Sequence, residues 1–309
     1  MKIVGVSTFG GPEALEVLEA PEPHAGPGEV RIRVRAAAVS PTDTMLRSGA
    51  QDMGGLEPPY IPGMDAAGTV DEVGEGAGWQ IGDEVMALAL PRSERGGAYA
   101  EYLVAPADSV ARIPGGIGLE AASTLPMNGL TAVQALEKLA LAEGQVLAVT
   151  GAAGTLGNYL IQLAKEAGLT VVADAADKDA PLVAALGADY VVARGDDVAD
   201  RIRELFPDGV DALADGAVLD AKAAGAVRDN GGFATFRGWN GEPGRGITVH
   251  PIWVREEYHS GAKLDRLRVL AEADLLSPRI ADVLPAERAA EAHRRLEAGG
   301  LRGRIVLTF

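Results

Sequence analysis

Three glycines, Gly151, Gly154 and Gly157, stand directly after the apolar run Val146–Thr150 in a G-x-x-G-x-x-G spacing. Helical periodicity follows at once, with Leu156, Leu160, Leu163, Ala164 and Ala167 on one face. Gly168 is placed to end that helix, and Thr170–Ala173 opens a second β-branched run. The chemistry such residues can do is anion binding. Glycines let the backbone turn tightly and let a pyrophosphate approach the free N–H groups of the first helical turn, where the helix dipole adds a favourable field. Gly151, Gly154, Thr155, Leu156 and Gly157 are therefore candidate pyrophosphate contacts. Asp174 closes the second strand about 20 residues further on, where a ribose diol would meet it. The alternative is a strand–helix–strand unit with a tight turn and no nucleotide.

A chain of 309 residues is long enough for two domains and a large core. It is 47% hydrophobic and 23% charged, which fits a soluble globular protein. The formal net charge of −16 argues against nucleic acid or an anionic membrane as a partner, since both need a basic face. Without cysteine there is no disulfide framework, thiol nucleophile or thiolate metal site. MKIVGVSTFGG lacks a long apolar run, so neither a signal peptide nor a membrane span is expected, and a cytoplasmic setting is.

The elements that must position the glycine turn change in texture along the chain. Residues 1–120 read as many short strands with turns between them. The clearest is Val30–Arg35, with Val30, Ile32 and Val34 on one face and Arg31, Arg33 and Arg35 on the other. Gly74–Gly78 and Gly82-Asp83 are turn signals, and the whole suggests a barrel-like β domain. From Leu119 onward helices and strands alternate: helix at Leu130–Leu139, then the glycine-turn unit, then strands at Tyr190–Val192, Val210–Ala214 and Gly232–Phe236. Helices are expected at Pro181–Leu186, Val198–Leu205 and, weakly, Ala221–Val227. This is the rhythm of a parallel sheet covered on both faces, so the fold class is α/β. Leu264–Leu276 and Ala286–Leu296 are helical, and Arg304–Phe309 is a last strand.

Several segments carry a resemblance together: Phe9-Gly-Gly-Pro-Glu13, Ala37–Asp43, Arg47-Ser-Gly49, Ile61–Gly68, Val73-Gly74, Gly82-Asp-Glu-Val85, Gly97–Tyr102, Gly129-Leu-Thr-Ala132, the glycine turn, Leu186-Gly-Ala-Asp189, Ala292-His293 and Gly303-Arg-Ile-Val306. In this order they resemble the zinc-independent quinone oxidoreductase branch of the medium-chain dehydrogenase/reductase superfamily over nearly the whole chain. The resemblance implies a GroES-like β-barrel domain from 1–122 with 263–309 and a Rossmann doubly wound domain from 123–262. It further implies a cofactor in the cleft between them, and a homodimer. Zinc alcohol dehydrogenases of the superfamily hold their metal with a Cys where this chain has Ser40 and with a Gly-His-Glu where it has Gly63-Met64-Asp65. A hydroxyl and a thioether are poor zinc ligands, so no zinc is expected.

The chemistry then expected is hydride transfer from a reduced nicotinamide to a small-molecule quinone or α,β-unsaturated carbonyl, followed by protonation of the enolate. Ser40, Asp43 and Tyr60 are the catalytic candidates. Asp43 matches a family Asp, with capping of the short helix around Met45–Arg47 as the alternative role. Tyr60 could donate a proton or simply line the cleft. Thr131 matches a nicotinamide-side position, and Asn128 precedes it by about one helical turn. Met64 and Trp239 are candidate substrate contacts, or ordinary packing. His293, on an amphipathic helix, matches the family Ala-His pair and reads as structural.

The choice of nicotinamide rests on conflicting signals. Asp174 would favour NAD, yet it falls one residue earlier than the ribose-binding acid of the zinc alcohol dehydrogenases, which turns it to the other strand face. Lys178 matches a family lysine that serves NADPH, and Arg194 stands where the family has Tyr and could pair bidentately with a 2′-phosphate. The expectation is NADPH, with NADH as the alternative. Enoyl-thioester reduction in lipid or polyketide assembly, or nucleotide binding without turnover, are the competing functions.

Overall fold

The computed structural model describes all residues 1–309. In chain order the strands of the N-terminal region are β1 (Lys2–Val6), β2 (Leu15–Glu19), β3 (Glu29–Ala38), β4 (Asp65–Val73), β5 (Glu84–Leu88), β6 (Tyr102–Pro106) and β7 (Val110–Arg112). Helix α1 (Pro41–Ser48) follows β3, and α2 (Leu119–Ala122) and α3 (Pro126–Leu139) follow β7. Next come β8 (Val146–Thr150), α4 (Thr155–Glu166), β9 (Thr170–Ala175), α5 (Ala180–Ala185), β10 (Tyr190–Ala193), α6 (Val198–Leu205), β11 (Val210–Asp215), α7 (Ala221–Ala224), β12 (Val227–Thr235) and β13 (Thr248–Pro251). The chain ends with α8 (Gly261–Glu272), β14 (Ile280–Pro285), α9 (Ala289–Glu297) and β15 (Arg304–Thr308).

These elements form two compact units. The first comprises residues 1–127, 255–273 and 278–309, and the second residues 128–254 and 274–277. Relative to the expected boundaries, 123–127 and 255–262 fall in the first unit and 274–277 in the second.

The first unit is built on a sheet ordered β14-β15-β3-β4-β5-β7, with β6 also paired to β3 and a separate β1-β2 hairpin. Strand β3 is its centre because its alternation is so regular. Val30, Ile32 and Val34 are fully buried, while Arg33 and Arg35 face out. They pack with Ile3, Val4, Tyr99, Leu103, Ile305 and Leu307 into one core.

The second unit is a parallel sheet ordered β10-β9-β8-β11-β12-β13. Its inner strands are nearly continuous apolar runs, since helices cover both faces. The strand order reverses direction between β8 and β11. In open α/β sheets that switch point, at the carboxyl ends of the strands, is where ligands bind. Two strands differ from expectation. Val227 begins β12 instead of ending a helix, and β13 is a short parallel edge strand. Its Pro251 lacks the N–H that a central strand would need.

Candidate functional site

In the second unit the glycine turn forms because Gly151 has φ +67°, a region that favours glycine. A Cβ on Gly151 would lie 2.7 Å from the Gly216 carbonyl carbon, so two backbones pass in contact at the switch point. A Cβ on Gly157 would lie 2.5 Å from Ala152 Cα, so that glycine lets α4 pack on the turn. Gly154 is the N-cap of α4 and offers no capping side chain. The helix therefore presents N–H groups of its first turn, around Thr155 and Leu156, with no side-chain cap. This is a cradle that fits a phosphate.

Asp174, the candidate ribose contact, meets the turn itself. Its Oδ1 accepts the Ala152 N–H at 3.1 Å, and the Gly151 N–H is a further partner. The carboxylate is thus turned to the glycine turn and is 5% exposed. Burial pushes its pKa up, the turn N–H groups and Arg194 hold it down, and Asp215 adds to the rise. Lys178 lies on the turn after β9 and Arg194 directly after β10, which is the parallel neighbour of β9. Both are exposed cations. Two residues absent from the sequence-based set complete this end of the sheet. Thr150 and Asp215, in register on β8 and β11, share a 2.6 Å hydrogen bond from Oγ1 to Oδ1. Thr150 Oγ1 also accepts the Ala217 N–H and Asp215 Oδ2 the Asp220 N–H, which fixes the loop after β11. The available signal was a polar residue ending each of two apolar strands.

Asn128 and Thr131 sit one turn apart on α3, 9% and 8% exposed. Trp239 packs edge-on to Phe233, with ring centroids 5.2 Å apart, in the apolar core of this unit. That is the packing alternative for Trp239.

In the first unit the polar centre is Asp43. Its Oδ2 accepts the Ser40 N–H at 2.7 Å, the Ser40 hydroxyl at 3.1 Å and the Tyr99 hydroxyl at 3.3 Å, while Oδ1 accepts the Gly63 N–H at 2.9 Å. The bond to Ser40 N–H is half of a capping box on α1, so the structural role foreseen for Asp43 is present. Burial nevertheless pushes the Asp43 pKa up to about 6, against the opposing pull of the Ser40 and Gly63 N–H groups and Arg304. Tyr99, fully buried, also meets His293 Nε2 at 3.2 Å. Burial and the positive charge of Arg47 push the His293 pKa down to about 3. Tyr99 lies inside the Gly97–Tyr102 segment that carries the resemblance, but its contacts with Asp43 and His293 are long-range and the segment does not report them.

Tyr60, the candidate proton donor or cleft-lining residue, packs in the first unit. Its hydroxyl donates to the Leu56 carbonyl at 3.0 Å, and its ring stacks on Phe9 at 5.1 Å beside Val6, Leu46 and Met53. The hydroxyl hydrogen is committed, and the side chain packs.

The zinc-ligand positions of the superfamily do not fit a metal here. Ser40 offers a hydroxyl within the Asp43 network. Met64 offers a thioether that accepts a hydrogen bond from Thr42 Oγ1 at 3.3 Å. Asp65, fully buried, accepts from Arg304 at 2.8 Å and from the Met127 N–H at 2.6 Å. Zinc favours thiolate and imidazole, and the one carboxylate is already neutralised by an arginine.

With this geometry in hand, residues 26–115 match the family described as "Alcohol dehydrogenase GroES-like domain", and residues 186–307 match "Zinc-binding dehydrogenase". An alcohol dehydrogenase of Geobacillus stearothermophilus is 30% identical over 349 residues, covering 99% of this chain and 99% of that protein. The chain belongs to the medium-chain dehydrogenase/reductase superfamily, in its quinone oxidoreductase branch. A quinone oxidoreductase of Sus scrofa is 28% identical over 331 residues, 99% of this chain and 97% of the other. The "NADPH-dependent alkenal/one oxidoreductase, chloroplastic" of Arabidopsis thaliana is 29% identical over 317 residues, 99% and 79%. Among solved structures, an "NAD-dependent alcohol dehydrogenase" superposes with TM-score 0.87 at 32% identity over 100% of both chains. A mycobacterial protein complexed with NADPH superposes with TM-score 0.86 at 28% identity, also over 100% of both. The superfamily fold thus accounts for both units: a GroES-like domain and a doubly wound dinucleotide-binding domain.

Proposed function

We propose that this medium-chain dehydrogenase/reductase is a zinc-independent, NADPH-dependent reductase of quinones and α,β-unsaturated carbonyl compounds. The observation that carries the reading is chemical. The positions that hold zinc in the alcohol dehydrogenases are a hydroxyl, a thioether and a carboxylate paired with Arg304. An acceptor that needs no Lewis acid is what such a site can serve, since a quinone or enone spreads negative charge onto its own oxygen. The quinone and alkenal reductases among its relatives support the same acceptor class.

When bound, a reduced nicotinamide supplies the hydride. The chain's part is to hold and orient it. The first turn of α4, which has no side-chain cap, binds the pyrophosphate at Thr155 and Leu156, with Gly151, Gly154 and Gly157 shaping the approach. Lys178 and Arg194 attract a 2′-phosphate, Arg194 through a planar fork that matches phosphate geometry. Asn128 and Thr131 serve the nicotinamide end. The NADPH-dependent relative and the NADPH complex support NADPH, and the NAD-dependent neighbour keeps NADH as the alternative. No helix is long and apolar enough to cross a membrane. A cytoplasmic homodimer is part of the proposal, and light scattering tests its assembly.

The testing experiment follows NADPH absorbance with 1,4-naphthoquinone, a simple enone, a crotonyl thioester and a primary alcohol with NADP⁺. Turnover with the first two is expected. Turnover restricted to the alcohol would overturn the reading, and preference for the thioester would move it to enoyl-thioester reduction.

A further inference from the structure

A reductase of enones must also deliver a proton, and Tyr60, the sequence-based candidate donor, has its hydroxyl hydrogen on the Leu56 carbonyl. Another hydroxyl stands in a better place. Thr42 Oγ1 contacts Ser40 Oγ, and Ser40 Oγ contacts Asp43 Oδ2 at 3.1 Å. Ser40 and Asp43 are 0% and 1% exposed, while Thr42 is only half-buried, so Thr42 is the outer end of the chain of contacts. Its other partner is the buried Met64 Sδ at 3.3 Å, a weak acceptor that a substrate oxygen would readily replace.

We infer that Thr42 hands the proton to the reduced acceptor, drawing it from Asp43 through the Ser40 hydroxyl. The inference rests on the reductase reading above. The contacts of Ser40 with Thr42 and Asp43 fit both proton arrangements, whereas the Thr42 bond to Met64 is made only in the second, because a hydroxyl has one hydrogen. With Asp43 ionised, Thr42 donates to Ser40 and Ser40 donates to Asp43. With Asp43 protonated, the carboxylic acid donates to Ser40, Ser40 to Thr42, and Thr42 away from Ser40, to Met64 in this structure and to the acceptor when one is bound.

The step balances. An acceptor that has gained a hydride at carbon carries one negative charge. The Thr42 O–H bond breaks as a C–H or O–H bond forms on the acceptor. The Ser40 proton passes to Thr42, and the Asp43 proton passes to Ser40. Asp43 is left as a carboxylate, which the Ser40 and Gly63 N–H groups are placed to hold. Between turnovers a proton from water enters at Thr42 and runs inward by the same two hops. NADPH is the only reductant, and one proton is consumed per acceptor.

The inner end is closed by Tyr99, which bridges Asp43 to His293, whose Nδ1 is buried without a partner. The other charged groups acting on Asp43 and Tyr99 are Arg304 and its partner Asp65. None of these reaches solvent, so the path has one open end.

The test measures kcat for enone reduction and its pH and solvent-isotope dependence in the wild type, Thr42→Val, Thr42→Ser, Ser40→Ala and the Thr42→Val/Ser40→Ala double variant. Thermal melting and the NADPH Kd establish that each variant is folded. Loss of a general acid is expected to lower kcat roughly 100-fold in Thr42→Val and in Ser40→Ala, with rescue in Thr42→Ser. Because the two hydroxyls act in series, the double variant should be no slower than the worse single variant. A decline of wild-type kcat as pH rises through the Asp43 titration should vanish in Thr42→Val. Thr42→Val within about twofold of wild type and with the same pH profile, or a double variant showing the product of the two losses, would overturn the inference. Should Thr42→Val not fold, Ser40→Ala against Thr42→Ser decides on the same criteria. If the wild type oxidises NADPH with neither quinone nor enone, the reductase reading itself fails and the path falls with it.

Discussion

Arg304 Nη2 donates to Asp65 Oδ2 at 2.8 Å, with side chains 5% and 0% exposed and the two residues 239 positions apart in the chain. Arg304 also donates to the carbonyls of Val39 and Ala38 at 2.8 and 2.9 Å, and Asp65 accepts at the start of α3. One ion pair therefore joins β15, the end of β3, β4 and a helix N-terminus. Removing one partner strands a buried charge. Asp65→Asn is expected to destabilise the protein by about 3–5 kcal/mol, and Arg304→Met similarly. The double variant should recover part of the loss. Chemical denaturation of the four proteins checks this, and additive losses would contradict the pairing.

His293 gives stability a pH dependence of known sign. The folded chain keeps it neutral down to about pH 3, while an unfolded histidine titrates near 6.5. Between those values the unfolded state binds more protons, so stability falls as pH falls, by about 1.4 kcal/mol per pH unit. Asp43 acts oppositely between its unfolded pKa near 3.8 and about 6, because its folded pKa is raised. The His293 contribution is therefore read as the difference between wild type and His293→Gln, both of which retain Asp43. That difference should shrink by about 2 kcal/mol between pH 6.5 and 5. A pH-independent difference would show that His293 is not held neutral.

Lys178 and Arg194 are assigned to the 2′-phosphate. Arg194→Ala should weaken NADPH by about tenfold and NADH little, as expected for one charge-assisted hydrogen bond. Lys178→Ala should act in the same direction but more weakly, since it is a point charge on an exposed turn. Calorimetric titration with both nucleotides measures this. Equal losses for NADPH and NADH would remove the assignment.

Gly157→Ala places a Cβ against Ala152 Cα and the carbonyl oxygens of Gly151 and Ala152, at 2.5–2.8 Å, all of them backbone. Backbone cannot give way as a side-chain tip does. A loss of about 1–3 kcal/mol in stability is expected, together with weaker dinucleotide binding because the turn is displaced. Unchanged melting and unchanged NADPH affinity would contradict the close packing of α4 on the turn.

The parts of this fold that were legible in the sequence are the locally determined ones. The glycine turn needs φ +67° at Gly151 and a Cβ-free Gly157, and residue type reports both directly. Strand β3 was plain because valine or isoleucine alternates with arginine over Val30–Arg35. Strands β13 and β14 were not: β13 is four residues long and ends in Pro251, and much of β14 is exposed, so neither shows a buried face. Val227 belongs to β12 because β11 pairs with it, a tertiary preference that local pattern does not carry. The site divides in the same way. The resemblance pointed to Ser40 and Asp43, but Tyr99–His293, Thr150–Asp215 and Asp65–Arg304 are contacts over 194, 65 and 239 residues of chain, and only folding brings them together. Strand position showed that Asp174 is offset from the usual ribose-binding acid, but not that its carboxylate accepts the Ala152 N–H.

The central claim, reduction without zinc, is tested most directly by NADPH oxidation with an enone and a quinone before and after exhaustive dialysis against a strong chelator. Full activity in the chelated enzyme, unchanged by added Zn²⁺, is the predicted result. Activity that disappears on chelation and returns with Zn²⁺ would contradict it.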